Sequence, residues 1–326
     1  MTAATVVVGV PTYRRPHDLV DLLPLLLEQA DDLPGRRVDV LVVDNDPAGS
    51  ARAVVDALRG RGDDDRLRYA HEPTPGIAAV RNRILDVATD DLGADLVAMI
   101  DDDERPRPGW LTALVATQEQ TGAALVAGRV VPEFDGPLDP WVAAGRFHTR
   151  RNLATGTPLT AAAAGNLLLD AGQLRRLDQR FDVGLGLAGG EDTLFTRELH
   201  AKGGSMVWCA ESVVVDRVPP ARATRRWVLA RAMSHGDASV RVGLRLAGSP
   251  TARATFRVRA VLGGVARVVL GAARAAAGTV LRRPVDQARG ARATMRGVGM
   301  LRGASGLHHV EYARRPDTDT GTDAAT

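Results

Sequence analysis

The chain has 326 residues, 45% of them hydrophobic, which suits one large or two smaller globular domains. Its single cysteine excludes an intrachain disulfide and favours a cytosolic protein. The strand-like start has no charged leader or cleavage site, so the sequence predicts no signal peptide.

The formal net charge of +3 conceals a division along the chain. Residues 1–216 carry 22 Lys and Arg residues against 33 Asp and Glu residues. Residues 217–302 carry 18 Arg residues against only Asp237 and Asp286. A basic C-terminal third predicts a polyanionic neighbour: nucleic acid, an anionic membrane or a phosphorylated substrate.

The first half alternates strand-like runs with helical stretches. The pattern predicts strands at 5–10, 38–43, 67–71 and 96–100, and helices at 18–29, 51–59 and 77–88. This alternation predicts an α/β fold with a mostly parallel central sheet and helices on both faces. Ligands of such sheets bind outside the carboxyl ends of the strands, which makes the residues there site candidates.

Three consecutive carboxylates, Asp101, Asp102 and Asp103, directly follow the apolar run at 95–100. Neighbouring carboxylates raise one another's pKa unless a cation neutralises them, and hard divalent ions take such oxygen ligands. Alternation along the loop places Asp101 and Asp103 on the same side, as a D-x-D pair. The pair predicts a Mn2+ or Mg2+ site with positions left for substrate phosphates. The alternative is a helix N-cap, where Asp is favoured.

The second half is less regular. The pattern predicts a strand at 121–131, an irregular loop at 141–158, a helix-to-strand transition at 159–169, a flexible glycine-rich loop at 184–190 and a helix at 191–199. From residue 221 onward it is helical and rich in arginine. Glycines and arginines interrupt the segment 258–281 too often for a membrane-spanning helix, and residues 314–326 have the composition of a disordered tail.

The order of the motifs resembles that of the family 2 glycosyltransferases, which are inverting, sugar-nucleotide-dependent enzymes of the GT-A fold. The resemblance runs from about residue 5 to residue 240 and rests on the segments 10–15, 42–45, 76–82, 100–110, 165–166 and 189–192. It implies a GT-A domain at 1–240, with a nucleotide-binding half at 1–104 and an acceptor-binding half at 105–240. A basic amphipathic helical region at 241–313 and the tail would follow.

The resemblance also implies residue roles on the donor side. The residues expected to hold the nucleotide, most simply as a UDP-sugar, are Pro11, Thr12, Tyr13, Arg15, Asp44, Asn45, Arg81, Asp101, Asp102 and Asn166. Asn45 stands where the resembling enzymes often have Asp, which leaves the base open. Thr12 and Asp44 have the alternative role of capping turns. For the metal, the resemblance implies Asp103 as direct ligand, Asp101 as ribose or metal partner and Asp216 as third ligand.

Inversion requires a base that takes the proton of the attacking acceptor hydroxyl. Glu191 and Asp192 follow the glycines 189–190 at a predicted helix start. By match to the family's acidic pair, Asp192 is the base and Glu191 an acceptor-binding neighbour. The alternative is a pair of acids favoured by the helix dipole. Three tryptophans, at 141, 208 and 227, either stack on sugar rings or pack in the core.

The expected partners are a nucleoside-diphosphate sugar and a glycan, lipid-linked or small-molecule acceptor, without nucleic acid. A metal-dependent nucleotidyltransferase is the competing enzyme, although a chain with one lysine lacks the phosphate loop that it needs. A non-catalytic carbohydrate- or nucleic-acid-binding protein is the other alternative. The arginines and apolar residues of 258–281 predict peripheral contact with an anionic membrane, at the inner face of the cell membrane, or else a helical cap with a solvated arginine face.

Overall fold

The computed structural model describes residues 4–62, 65–185 and 189–306. The predicted tail at 314–326 and the centre of the predicted flexible loop at 184–190 lie outside these residues.

An eight-stranded sheet forms the centre of the molecule. Its strands are β1 (Val6–Thr12), β2 (Val38–Asp44), β3 (Leu67–His71), β4 (Leu96–Ile100), β5 (Glu104–Pro106), β6 (Leu125–Phe134), β7 (Asn166–Asp170) and β8 (Met206–Val218). The order across the sheet is β3-β2-β1-β4-β7-β6-β8-β5. The first four strands in this order are parallel, as are β6 and β8, whereas β7 runs antiparallel to both neighbours and β5 antiparallel to β8.

Ten α-helices surround and extend the sheet within the described residues. They are α1 (Pro16–Asp31), α2 (Arg52–Gly62), α3 (Ile77–Asp86), α4 (Trp110–Thr121), α5 (Pro140–Gly145), α6 (Ala171–Arg176), α7 (Glu191–Ala201), α8 (Arg225–Leu246), α9 (Pro250–Val280) and α10 (Pro284–Ser305). A π-helical turn, Val87–Asp91, continues α3.

The core lies on both faces of the sheet, because β1 and β2 are buried at every position. Helices α1, α2 and α4 cover one face, and α3, α6 and α7 cover the other. Gly9 in β1 allows α3 to come close, since a Cβ there would lie 2.2 Å from Cγ2 of Ile84. The close contact brings the N-terminus of α3 to the edge where β1, β2 and β4 end.

The sequence predictions for the second half need correction. The strand predicted at 121–131 begins at Leu125, and residues 141–145, predicted as loop, belong to α5. Residues 159–165 contain no helix, so the predicted helix-to-strand transition is wrong apart from its strand, β7. Helices α4 and α6 and strands β5 and β8 were not predicted.

The prediction that glycines interrupt the segment 258–281 is also wrong, because α9 is one continuous helix. Three of its glycines recur at seven-residue spacing, Gly264, Gly271 and Gly278, and all three are buried against α10. A Cβ on Gly271 would lie 2.9 Å from the carbonyl oxygen of Gly290 in α10. The glycines therefore permit close helix packing instead of ending the helix. By length and composition α9 is long and apolar enough to cross a membrane.

Candidate active site

A cavity of about 630 Å³ opens at the carboxyl ends of β1 and β4, where the sequence places its candidate residues. Ten of the predicted site residues line it: Pro11, Thr12, Tyr13, Arg15, Asn45, Arg81, Asp101, Asp102, Asp103 and Asp216. The topology explains this convergence, since the loops after parallel strands meet at one edge of the sheet.

The carboxylates of Asp102 and Asp103 are held by arginines and a hydroxyl group. Nη1 of Arg15 lies 2.7 Å from Asp102 and 2.9 Å from Asp103, and Oγ1 of Thr12 donates to Asp102 at 2.9 Å. Nη1 of Arg222 contacts Asp103 at 2.9 Å. Burial opposes ionisation of Asp103, but the two guanidinium groups outweigh it and lower its pKa.

Burial dominates at Asp102, where it raises the pKa to about 6 despite the attraction of Arg15. Asp102 is therefore a buried link between the loop after β1 and the loop after β4. Its carboxylate contacts Thr12 and Arg15, and it shares Nη1 of Arg15 with Asp103.

Arg81 lines the cavity and connects Asp101 with Glu191 at the start of α7, although neither Glu191 nor Asp192 is among the residues that line the cavity. The buried guanidinium group contacts Glu191 at 2.6 Å through Nη1 and Asp101 at 3.2 Å through Nη2. Burial and the neighbouring charge of Asp192 raise the pKa of Glu191 to about 7. Burial and the neighbouring charges of Asp103 and Asp192 raise the pKa of Asp101, although Arg81 opposes them. Glu191 and Asp192 are the first residues of α7, which begins after Gly189 and Gly190 in the left-handed region.

Glu104 is a further acidic residue at the cavity that was not predicted from the sequence. The antiparallel pairing of β5 with β8 places Glu104 opposite Asp216. Burial and the charges of Asp101, Asp103 and Asp216 raise the pKa of Glu104 well above its usual range. Asp216 itself pairs with Arg150 at 2.8 Å. Only the pairing of β5 with β8, which the sequence did not predict, assembles this part of the site.

The predicted metal ligands are not arranged as a ligand set. Within the described residues, no three His, Cys, Asp or Glu side chains are grouped to hold an ion. Asp103 and Asp216 instead contact arginines. The donor chemistry nevertheless fits a hard divalent ion: a Cβ at Gly165 would lie 2.8 Å from Oε1 of Glu104 and 3.1 Å from Oδ2 of Asp101. Two carboxylates with raised pKa therefore meet over a residue without a side chain, where a cation would neutralise them.

Three predicted nucleotide-binding side chains are engaged within the protein. Asp44 caps the turn after β2, accepting from the backbone N–H groups of Asp46 at 2.9 Å and Ala51 at 2.8 Å, which was the alternative role. Asn45 lines the cavity, but its amide nitrogen donates to the carbonyl groups of Glu72 and Thr74.

Asn166 lies beneath the cavity, between β6, β7 and β8. Its oxygen accepts hydrogen bonds from Nε1 of Trp110 at 2.8 Å and from the hydroxyl group of Ser212 at 3.3 Å. Its nitrogen donates to the carbonyl groups of Arg129 and Ser212 at 3.1 Å each. All four hydrogen-bonding positions of the amide are filled, so Asn166 fixes the strands and has no free position for a nucleotide.

Several cavity residues were not assigned to the site from sequence: His148, Arg150, Arg222, Arg231 and Ser234 line it. Of the three tryptophans considered, only Trp227 lies at the cavity, while Trp141 and Trp208 are buried in the core. These residues come from segments without strong periodicity, and no signal in the sequence placed them opposite the aspartates.

The sheet is covered by helices on both faces, and carboxylates and arginines surround a cavity at its strand ends. This is the architecture of the GT-A glycosyltransferases. A sequence model of the family described as "Glycosyl transferase family 2" matches residues 7–176. The succinoglycan biosynthesis protein ExoM of Rhizobium meliloti (strain 1021) is 38% identical over 232 residues, which are 71% of this chain and 72% of that protein. The chain belongs to glycosyl transferase family 2, and the protein is a glycosyltransferase.

Solved structures agree on the fold. The crystal structure of S. aureus TarS 1-349 in complex with UDP matches with a TM-score of 0.55 at 16% identity, covering 93% of this chain and 92% of that chain. GalNAc-T7, crystallised with UDP, GalNAc and Mn2+, matches with a TM-score of 0.50 at 14% identity, covering 73% of this chain and 47% of that chain. The predicted GT-A fold with its C-terminal helical extension is confirmed.

Proposed function

We propose that the protein is an inverting glycosyltransferase that transfers a sugar from a UDP-sugar to a hydroxyl group of a glycan or lipid-linked acceptor in polysaccharide biosynthesis. The observation that carries this proposal is the Arg81 bridge, which joins Asp101 at the predicted donor end to Glu191 at the predicted acceptor end. The UDP complex of TarS and the role of ExoM in succinoglycan biosynthesis support the donor and acceptor classes.

On the donor side, Arg15 and Arg222 are the residues proposed to bind the diphosphate. Both guanidinium groups contact Asp103 and face the cavity. A diphosphate brings several acceptor oxygens, which match the planar N–H donors of arginine. When the donor binds, Arg15 and Arg222 would therefore replace their contacts with Asp103 by contacts with phosphate oxygens, so neither guanidinium group would lose its anionic partner.

A divalent ion would be held by Asp103 and Asp101, with Glu104 and Asp216 as the neighbouring carboxylates. When bound, Mn2+ or Mg2+ supplies positive charge to the diphosphate oxygens that gain charge as the sugar leaves. The Mn2+ in the GalNAc-T7 structure supports this assignment. The chain's own contribution is to keep the carboxylates in place, through the contacts of Arg15 and Arg222 with Asp103 and the pairing of β5 with β8.

On the acceptor side, Asp192 is the proposed base and Glu191 its positioning neighbour. Glu191 is buried and held by Arg81 at 2.6 Å, which suits a structural anchor for the start of α7. Asp192 is half-buried and next to it, so it remains the better placed group to accept a proton.

We also propose the division of the chain at residue 240 into a catalytic domain, with halves at 1–104 and 105–240, and the helical region predicted at 241–313, of which residues 307–313 lie outside the described residues. Helix α8 crosses this boundary without a break. The helical region is therefore proposed as a rigid extension of the catalytic domain. We also propose that the protein lies in the cytoplasm.

We expect millimolar Mn2+ together with UDP to raise the melting temperature by several degrees. A ligand that binds only the native state at 100 times its Kd stabilises it by about 2.7 kcal/mol. Thermal unfolding measured with Mn2+ alone, UDP alone and both together tests this. Stabilisation by ATP but not by any nucleoside diphosphate would contradict the proposal and favour a nucleotidyltransferase.

The exposed apolar face of α9 supports peripheral attachment to an anionic membrane. Six large side chains at helical spacing are 39% to 69% exposed: Val258, Val261, Leu262, Val265, Val269 and Leu270. Arginines border this face at 257, 259 and 267. Such a helix can lie in the interface with its apolar face among acyl chains and its guanidinium groups among lipid phosphates.

Replacing Leu262, Val269 and Leu270 together by Gln is expected to weaken binding to anionic vesicles at least ~100-fold, since full burial of each such side chain contributes about 1.5–3 kcal/mol. Liposome flotation with and without anionic lipid, at low and high salt, measures the effect. The matched control is Val20→Gln on α1, which replaces another exposed valine. The membrane proposal would be contradicted if the triple variant floated as well as the wild type, or if the wild type did not float at all. Helix α9 would then be a solvated helical cap.

A further inference from the structure

A second groove opens beside the donor cavity and has a different charge balance. It encloses about 420 Å³ between β6, α5 and residues 146–152. Four arginines line it, at 129, 146, 150 and 151, and no described Asp or Glu does. We call it the arginine groove. His148 and Arg150 line both spaces, so the groove lies directly beside the cavity.

Three of the four guanidinium groups have no carboxylate partner in the part of the chain that the structure describes: those of Arg129, Arg146 and Arg151. Arg151 donates to the carbonyl group of Ala161 at 2.7 Å. Only Arg150, at the junction with the cavity, forms an ion pair, with Asp216. A cleft lined by one sign of charge concentrates ligands of the opposite sign, so the groove is built for an anion.

An aromatic wall leads from the groove to the cavity. The ring of His148 stacks on Trp227 with centroids 5.8 Å apart and an interplanar angle of 6°. Phe134 meets the same imidazole edge-on at 5.2 Å. Phe134 lines the groove, Trp227 lines the cavity and His148 lines both, so the three rings lie between the two spaces. Sugar rings pack on the faces of such rings.

An apolar tip lies at the connection between α9 and α10, and α10 packs against α5. The connection between α9 and α10 exposes Val280 by 80%, Leu281 by 60% and Val285 by 40%. Less than one turn later, Ala288 is buried in a cluster with Trp141 and Val142 of α5. Further along α10, Nη1 of Arg292 donates to the carbonyl group of Arg146 at 3.1 Å. Helix α5 therefore lines the groove and also contacts α10, the helix that begins at the apolar tip.

We propose that the arginine groove binds the diphosphate group of a lipid-linked sugar acceptor. The aromatic wall then carries the acceptor sugar towards the donor cavity, and the lipid chain leaves past the apolar tip. A diphosphate has several acceptor oxygens, which several planar guanidinium groups can bind together. The carboxylate of an acidic sugar needs only one guanidinium group. This inference rests on the proposed glycosyl transfer and names the acceptor class for the same site.

The test uses geranyl diphosphate as probe, with the full-length protein saturated in UDP and Mn2+ so that the donor cavity is filled. Isothermal titration is expected to show binding that weakens with salt and is at least tenfold tighter than that of inorganic pyrophosphate. Arg129→Gln and Arg146→Gln should each weaken it by about tenfold or more, since each removes charge-assisted hydrogen bonds. Arg175→Gln, an exposed arginine on α6, is the matched control and should change nothing.

Titration of UDP into each protein separates the two proposals. Failure of the wild type to bind UDP would count against the proposed function itself. Normal UDP binding together with equal affinity of wild type and both groove variants for geranyl diphosphate would overturn the groove assignment. Tighter binding of methyl glucuronide than of geranyl diphosphate would also overturn it, because it would identify an acidic glycan as the ligand.

Discussion

Asp103→Ala is expected to lower the turnover of the donor by at least ~10³-fold, because charge stabilisation by a bound metal contributes several kcal/mol to the transition state. Binding of UDP should lose its dependence on Mn2+. The variant also releases Arg15 and Arg222 from Asp103, so both guanidinium groups become available to phosphate. Residual UDP binding that Mn2+ does not strengthen is thus part of the expected result. Donor hydrolysis and UDP titration with and without metal measure both effects.

The fold should survive this substitution. Arg15 keeps its contact with Asp102, and Arg222 is partly exposed and can be solvated. Asp91→Ala is the matched control, since it removes an exposed aspartate before β4. Full activity of Asp103→Ala with an unchanged melting temperature, or full activity of the wild type in excess chelator, would show that the transfer needs no metal at Asp103.

The regular half of the fold was predictable from the sequence because each element carries its own period. Strands β3 and β4 match their predicted ranges, and β1 and β2 differ only at their ends. Strands β1, β2 and β4 are buried at every position and consist mostly of apolar residues, whereas β3 is fully buried only at Leu67. Their order along the chain also placed the candidate residues at one edge of the sheet.

Strand β8 was missed because its pattern is broken in the middle. The register with β6 shifts between Gly128 and Arg129, where β8 has the extra residues 210–212. This irregularity interrupts the alternation that a strand prediction needs. Helix α4 was missed for a related reason, since adjacent residues, Trp110 with Leu111 and Leu114 with Val115, are buried together and widen its apolar face.

The parts of the candidate site that consist of residues adjacent in the sequence were predictable. The parts that are brought together by strand pairing were not. The aspartates at 101–103 and the acids at 191–192 are consecutive in the sequence and were found there. Glu104 acquires its role only through the pairing of β5 with β8, and Asn166 only through the strands that it connects. Both depend on contacts between residues 37 to 112 positions apart.

Asp192→Asn is expected to lower kcat by roughly 10²-fold or more, with little change in donor affinity, because Asn keeps the size of the side chain but cannot take the acceptor proton. The matched comparison is Glu191→Gln, which removes the charge that balances the buried guanidinium group of Arg81. Breaking a buried ion pair costs about 3–5 kcal/mol, so Glu191→Gln should lower the melting temperature while Asp192→Asn should not. Steady-state kinetics and thermal unfolding of both variants measure the difference.

Glu191 is the serious competitor for the role of base, because a pKa of about 7 is close to the value at which a general base works best. A base must be deprotonated, so a reaction that uses Glu191 would gain rate as the pH rises through about 7. Loss of the negative charge at Asp192 would then lower the pKa of Glu191 and move this rise to lower pH. An Asp192→Asn variant with unchanged kcat and such a shifted pH profile would transfer the role of base to Glu191. A low kcat at every pH, with the fold intact, assigns it to Asp192.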